Sequence, residues 1–185
     1  VNALVKTCLP YFVFVMYAVN RGTGFTQALF MNCVHSLLTY SFYKKPRFIL
    51  KLFRMRLLEI MKINALPALV IGPGLSLLLY LSGGTDDPLS YIVLPVAVLC
   101  ISMFFSVHYL TIYYLLQPYN AGTELKSDAY TIVMSATYLI CFSLMQLRVP
   151  VLLFGLMTIV FCVLYCALAC VLIYKLAPKT FRIRT

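Results

Sequence analysis

At 185 residues the chain has the length of one ordinary domain, yet 63% of it is apolar and only 11% charged, against roughly 45–50% and about 25% in water-soluble domains. Too little polar surface remains to coat a globule in water, so the apolar excess must face lipid and a soluble enzyme is excluded. The formal net charge of +10 then points to a cytoplasmic face held against anionic headgroups, not to a nucleic-acid partner.

The chain opens at Val1, already close to an apolar run, and is expected to be the C-terminal part of a longer protein; no signal peptide can be argued. A helix crossing the hydrocarbon core needs about 20 mostly apolar residues. Residues 2–19 form the first such stretch. Residues 22–43 carry no Asp, Glu, Lys or Arg and are long enough to cross, which would make a sixth span. Against a crossing, Thr26, Gln27, Asn32, His35, Ser36, Thr39 and Ser41 would each need a partner in hydrocarbon, so a helix at or below the inner surface is favoured. On a helix, Asn32, His35, Ser36 and Thr39 fall on one stripe, an uncharged hydrogen-bonding face that docks a partner or packs on the chain's own loops.

Pro46 suits a first helical turn, and Arg47, Lys51, Arg54 and Lys62 follow on one narrow arc opposite Phe48, Leu52, Phe53 and Ile60. This pattern predicts a basic amphipathic helix lying in the headgroup plane, with Arg56 paired to Glu59, so that residues 22–62 make one cytoplasmic or interfacial helical segment. It is either a plain connector or an elbow that transmits motion to the next span. That span, residues 63–81, contains Pro67, Gly72, Pro73 and Gly74, where a kink or break of the backbone pairing is expected.

Residues 89–116, 129–147 and 150–174 complete five predicted spans, an all-α polytopic membrane protein forming a single transmembrane domain over residues 1–185. The connection from Ser82 to Pro88 is a run of turn formers with two acids and no base, and only Arg148 and Val149 separate the last two spans. With both loops outside, thirteen Lys and Arg lie inside, and only Lys6 and Arg148 lie outside. That asymmetry is a strong positive-inside signal, and tyrosines gather at both predicted interfaces.

Seven cysteines sit almost wholly in apolar stretches, where they serve packing and not redox chemistry. Cys162, Cys166 and Cys170 recur every four residues, a strip of small side chains for close helix approach; no second ligand pair for zinc accompanies them. The phosphate-cradling G-x-x-x-x-G-K-[ST], H-E-x-x-H and G-x-S-x-G motifs are missing, and Asp86-Asp87 sits in a turn, so neither an enzyme nor a cofactor or metal site is indicated. No span centre holds an Asp, Glu, Lys or Arg, the groups that couple carriers to ion gradients, and His108 lies near the inner end of its span. A transporter of this kind draws its energy from another chain.

The stretch Leu29-Phe30-Met31-Asn32-Cys33-Val34-His35-Ser36-Leu37-Leu38, then Phe42-Tyr43-Lys44-Lys45-Pro46 and Leu57 through Ile71, resembles the permease subunits of bacterial ABC-type exporters. In that family an acidic residue often follows the Asn-Cys pair, where this chain has Val34. The resemblance covers roughly the first half of the chain. It implies a multi-pass cell-membrane subunit, alone or in a homo- or heterodimer of permeases, working with a separate cytoplasmic ATP-binding subunit, for which the uncharged stripe of Asn32, His35, Ser36 and Thr39 is the candidate docking face. The reading from a different class is a structural or accessory membrane protein without a transport cycle.

Overall fold

The computed structural model describes residues 7–34, 45–85, 87–119 and 127–181. In chain order the helices are α1 (Leu9–Val19), α2 (Gly22–Leu29, continued by a π-helical turn at Phe30–Val34), α3 (Pro46–Leu81), α4 (Ser90–Leu116), α5 (Asp128–Leu144) and α6 (Val151–Thr180). Among the described residues there is no β-strand.

Three of these, α3, α4 and α6, are long and apolar enough to cross a membrane. The fourth predicted span comes out shorter. α5 has 17 residues, about 26 Å at 1.5 Å per residue against a core of about 30 Å. α1 ends at Val19, the predicted end of the first span, and polar side chains capture the amides that would prolong it. The Gly22 N–H donates to Asn20 Oδ1 (2.7 Å), and the Arg21 N–H to Asn64 Oδ1 of α3 (3.1 Å). α5 begins where Ser127 Oγ accepts from the Tyr130 N–H (3.3 Å), with Asp128 favourably placed in the first turn.

The basic segment and the following span are not two elements. α3 runs unbroken for 36 residues, through Pro67, Gly72, Pro73 and Gly74. Its buried residues Ile49, Phe53, Arg56, Ile60, Asn64, Ala68, Gly72, Leu75 and Leu79 recur every three or four positions, one face packed along its whole length. The expected separate surface helix is therefore replaced by an extension of the span, because the face opposite the bases has α4 to pack on.

α4 is the centre of the bundle: 56% of its most apolar window is buried, against 17% for α6. α3 lies antiparallel to it. Ser76 Oγ donates to the Tyr91 carbonyl (2.9 Å), Asn64 Nδ2 to Ser106 Oγ (3.0 Å) and Arg56 to the Tyr114 hydroxyl (2.9 Å). A Cβ on Gly72 would stand 2.9 Å from Pro95 Cα, so the two backbones touch there. α6 lies parallel to α4. Gly155 abuts Val93, Cys162 Sγ donates to the Cys100 carbonyl (3.2 Å), and Thr180 reaches the Tyr114 carbonyl (3.4 Å). Cys162 thus sits at a close helix approach, the packing role its spacing predicts.

α1 and α2 descend α4 in one direction. Tyr17 meets Phe105, Gly22 meets Tyr109, and Phe30 stacks on Tyr119 (5.3 Å between centroids). The segment from Gly22 therefore continues past the end of α4 instead of doubling back along it. The ends of the bundle differ in chemistry: the end of α3 and the connection at 145–150 share one, while the basic start of α3 and Thr180 share the other, both meeting Tyr114.

Candidate functional site

A cavity of about 390 Å³ lies between α1, α4, α5 and α6. It exists because α5 leans on α1 rather than on α4. Phe14 and Tyr17 of α1 form an aromatic cluster with Tyr138 and Phe142 of α5 (Phe14 to Tyr138, 5.9 Å; Tyr17 to Tyr138, 6.1 Å). The space left open between α5, α4 and α6 is walled by apolar side chains such as Ile101, Phe104, Leu144, Phe154 and Phe161. Phe104 packs on Phe161 at 5.4 Å and on Tyr165 at 4.8 Å, closing the α4–α6 side.

Besides Thr158, the polar groups meet in a half-buried triad at the end of the cavity nearer the bases. His108 contacts Tyr165 through Nδ1 (2.8 Å) and Thr137 through Nε2 (3.0 Å). The proton positions follow from the third bond. Thr137 Oγ1 lies 2.8 Å from the Val133 carbonyl, an approach of two oxygens that needs the hydroxyl proton between them. Thr137 therefore accepts from the His108 Nε2–H, and the Tyr165 hydroxyl donates to Nδ1 of the neutral ring. Every polar atom of the imidazole is satisfied inside the protein. This links α4, α5 and α6 through one side chain, and it is the main polar tie holding α5 to the bundle.

At the basic end of the bundle a second cluster forms. Arg56 is 8% exposed, donates to Tyr114, and lies 5.9 Å from the centre of that ring. Tyr114 in turn stacks on Phe181 at 4.5 Å and takes Phe53 edge-on at 5.6 Å. The predicted Arg56–Glu59 pair is not made. Glu59 turns outward to Lys62 (2.7 Å), both side chains exposed, because Arg56 is on the packed face of α3 and Glu59 is not.

Of the proposed docking stripe, Asn32 is described: it is exposed, and its amide donates back to the Ala28 carbonyl (2.9 Å). His35, Ser36 and Thr39 lie outside the described residues. Pro67, Gly72, Pro73 and Gly74 stay within α3, so no break opens there to hold a ligand. Thr137 and Thr158, the cavity's hydroxyls, are not singled out by the sequence: Thr158 stands alone in the apolar stretch of α6, but Thr137 is one of four Ser and Thr residues in α5. No group of three or more His, Cys, Asp or Glu that could hold a metal ion occurs among the described residues.

No protein family, curated protein or solved structure matches the chain.

Proposed function

We propose that the chain is a membrane permease subunit that holds a hydrophobic ligand in the cavity beside His108 and takes its energy from a separate cytoplasmic ATP-binding subunit. The observation that carries this reading is the cavity itself, an apolar space of ligand size lined from four helices at the depth of the long apolar ones. The energy source follows from the inventory of charges. α4 contains no Asp, Glu, Lys or Arg, and neither does α6 before Lys175, and every carboxylate among the described residues is exposed, so none of them is the buried group that couples a carrier to a gradient. On this reading α3, α4 and α6 cross the bilayer and α5 spans a slightly thinned one. The basic end then faces the cytoplasm, where the α2 segment meets the ATP-binding subunit through Asn32, His35, Ser36 and Thr39.

Affinity purification of the tagged chain from its own membranes in gentle detergent is expected to recover an ATP-binding subunit, and Ser36→Trp to insert normally but lose it. Transport by the isolated chain in liposomes driven by a proton gradient would overturn the proposal. Absence of any ATP-binding subunit would favour the accessory-protein reading.

A further inference from the structure

The cavity is a slot that opens sideways. α5 and α6 are tied at both of its ends, at one by the short connection 145–150 and at the other through His108, which bonds Thr137 of α5 and Tyr165 of α6. Between these ties the two helices part. Ile140 of α5 and Met157 and Phe161 of α6 line the slot yet are more than half exposed, so they form its lips, whereas Ile101 of α4, Cys141 and Cys162 are buried at its back. On the bilayer placement proposed above, the mouth faces lipid along about 10 Å of α6, from Phe154 to Phe161 at 1.5 Å per residue. The wall is hydrocarbon almost throughout. The Thr137 and Thr158 hydroxyls are already spent on the Val133 and Phe154 carbonyls (2.8 Å each), so an acyl chain beside them strands no donor.

The connection that closes one end of the slot carries Arg148, between Leu144 and Phe154, both of which line it. Arg148 is exposed and forms no ion pair with a carboxylate among the described residues. It is also the one Lys or Arg described at this end of the bundle. We infer that the slot takes one acyl chain of a diacyl phospholipid from the adjoining leaflet, with the phosphate at Arg148 and the second chain left in the bilayer. The inference rests on the cavity being a ligand site, as proposed above, and adds the chemical class. A lateral mouth suits a molecule that keeps its headgroup at the interface and moves one chain from lipid into an equally apolar slot. A polar, water-soluble ligand would have to enter hydrocarbon to reach that mouth, and a headgroup drawn inside would lose its water among apolar side chains. Held at the interface, the phosphate meets the connection, where an arginine can fork two N–H bonds to its oxygens. A diacylglycerol fills the slot equally well but leaves Arg148 unengaged.

The test uses the full chain in dodecyl maltoside, a detergent without phosphate, and a phosphatidylglycerol probe with a photoreactive diazirine midway along one chain, with labelled residues mapped by peptide mass spectrometry. Label on Ile140, Cys141 and Phe161 is expected to saturate, while label on Val70 of α3, exposed and outside the slot, rises in proportion to the probe. Unlabelled phosphatidylglycerol should compete about fivefold more strongly than the diacylglycerol with the same chains, the gain from one basic residue near an anionic headgroup. Arg148→Gln should bring the two to parity, and Arg148→Lys should keep most of the difference. Cys141→Phe, which fills the back of the slot and is checked for folding by gel filtration, should abolish the saturable label; Met157→Trp narrows the mouth from an exposed position and should weaken it. Equal competition by the two lipids in the wild-type protein, or a preference that survives Arg148→Gln, overturns the inference and leaves the cavity as a site for an uncharged apolar ligand. If saturable label never maps to the slot, or persists in a folded Cys141→Phe, the ligand-site reading falls as well.

Discussion

Replacing Tyr114 by Phe isolates one hydrogen bond to a buried cation. The substitution keeps the ring that stacks on Phe181 and lies beside the guanidinium, and removes only the hydroxyl accepting from Arg56 at 2.9 Å. Tyr114 is fully enclosed and Arg56 nearly so, so water cannot readily replace the lost acceptor. A hydrogen bond to a charged group is worth about 1.5–3 kcal/mol, and Tyr114→Phe is expected to cost about 2 kcal/mol. Arg56→Met removes the charge, keeps much of the stem's packing, and leaves only a neutral hydroxyl unpaired, for about 1 kcal/mol. Once Arg56 is Met, adding Tyr114→Phe should cost almost nothing, so a double-mutant cycle should return a coupling of about 2 kcal/mol. Glu59→Gln breaks only an exposed pair and should stay within about 0.5 kcal/mol. Reversible unfolding in mixed micelles, followed by circular dichroism against the mole fraction of dodecyl sulfate, measures all four variants. Additive effects of the two core substitutions, or a Glu59→Gln loss as large as that of Tyr114→Phe, would refute the assignment of Tyr114 as the partner of Arg56.

The two glycines of α3 should respond in opposite directions. Gly72→Ala drives a Cβ to 2.9 Å from Pro95 Cα, which is backbone and cannot yield, for a loss of about 1–3 kcal/mol, whereas Gly74 has nothing within 4 Å and Gly74→Ala should gain about 0.5–1 kcal/mol of helix propensity; the same micelle titration reads both, and equal effects would contradict the packed face assigned to α3. Gly155→Leu collides with Val93 and should separate α6 from α4, seen as faster alkylation of Cys162, with unchanged alkylation counting against that contact. In a background without native cysteines, Gly84→Cys should be labelled in intact cells by a membrane-impermeant maleimide while Lys179→Cys is not, and the reverse pattern would invert the bundle.

Hydropathy placed the end of the first span at Val19, where α1 ends and the Asn20 and Asn64 side chains take the Gly22 and Arg21 amides. At α3 composition misled. Its bases at Arg47, Lys51 and Arg54 mark a solvated arc, and the abrupt change of composition after Lys62 looks like a boundary. The buried stripe from Ile49 to Leu79 crosses that boundary without a change of period. Periodicity carried the continuity, while composition obscured it. Arg56 is the residue where the two signals disagree, and the buried face prevails because the Tyr114 hydroxyl and ring compensate its charge.

The cavity was illegible for a different reason. In water a helix reveals its packed side by the contrast between apolar and polar faces, but a helix that is apolar all round shows no such contrast whether it faces lipid or protein. α4 and α6 are of this kind, and nothing in their residue order says that α4 is enclosed and α6 largely bare. What does stand out in such helices is an isolated hydroxyl or imidazole, because hydrocarbon offers it no partner and the protein must supply one. His108 of α4 and Thr158 in the apolar stretch of α6 are of that type, and each has its proton committed to another protein group.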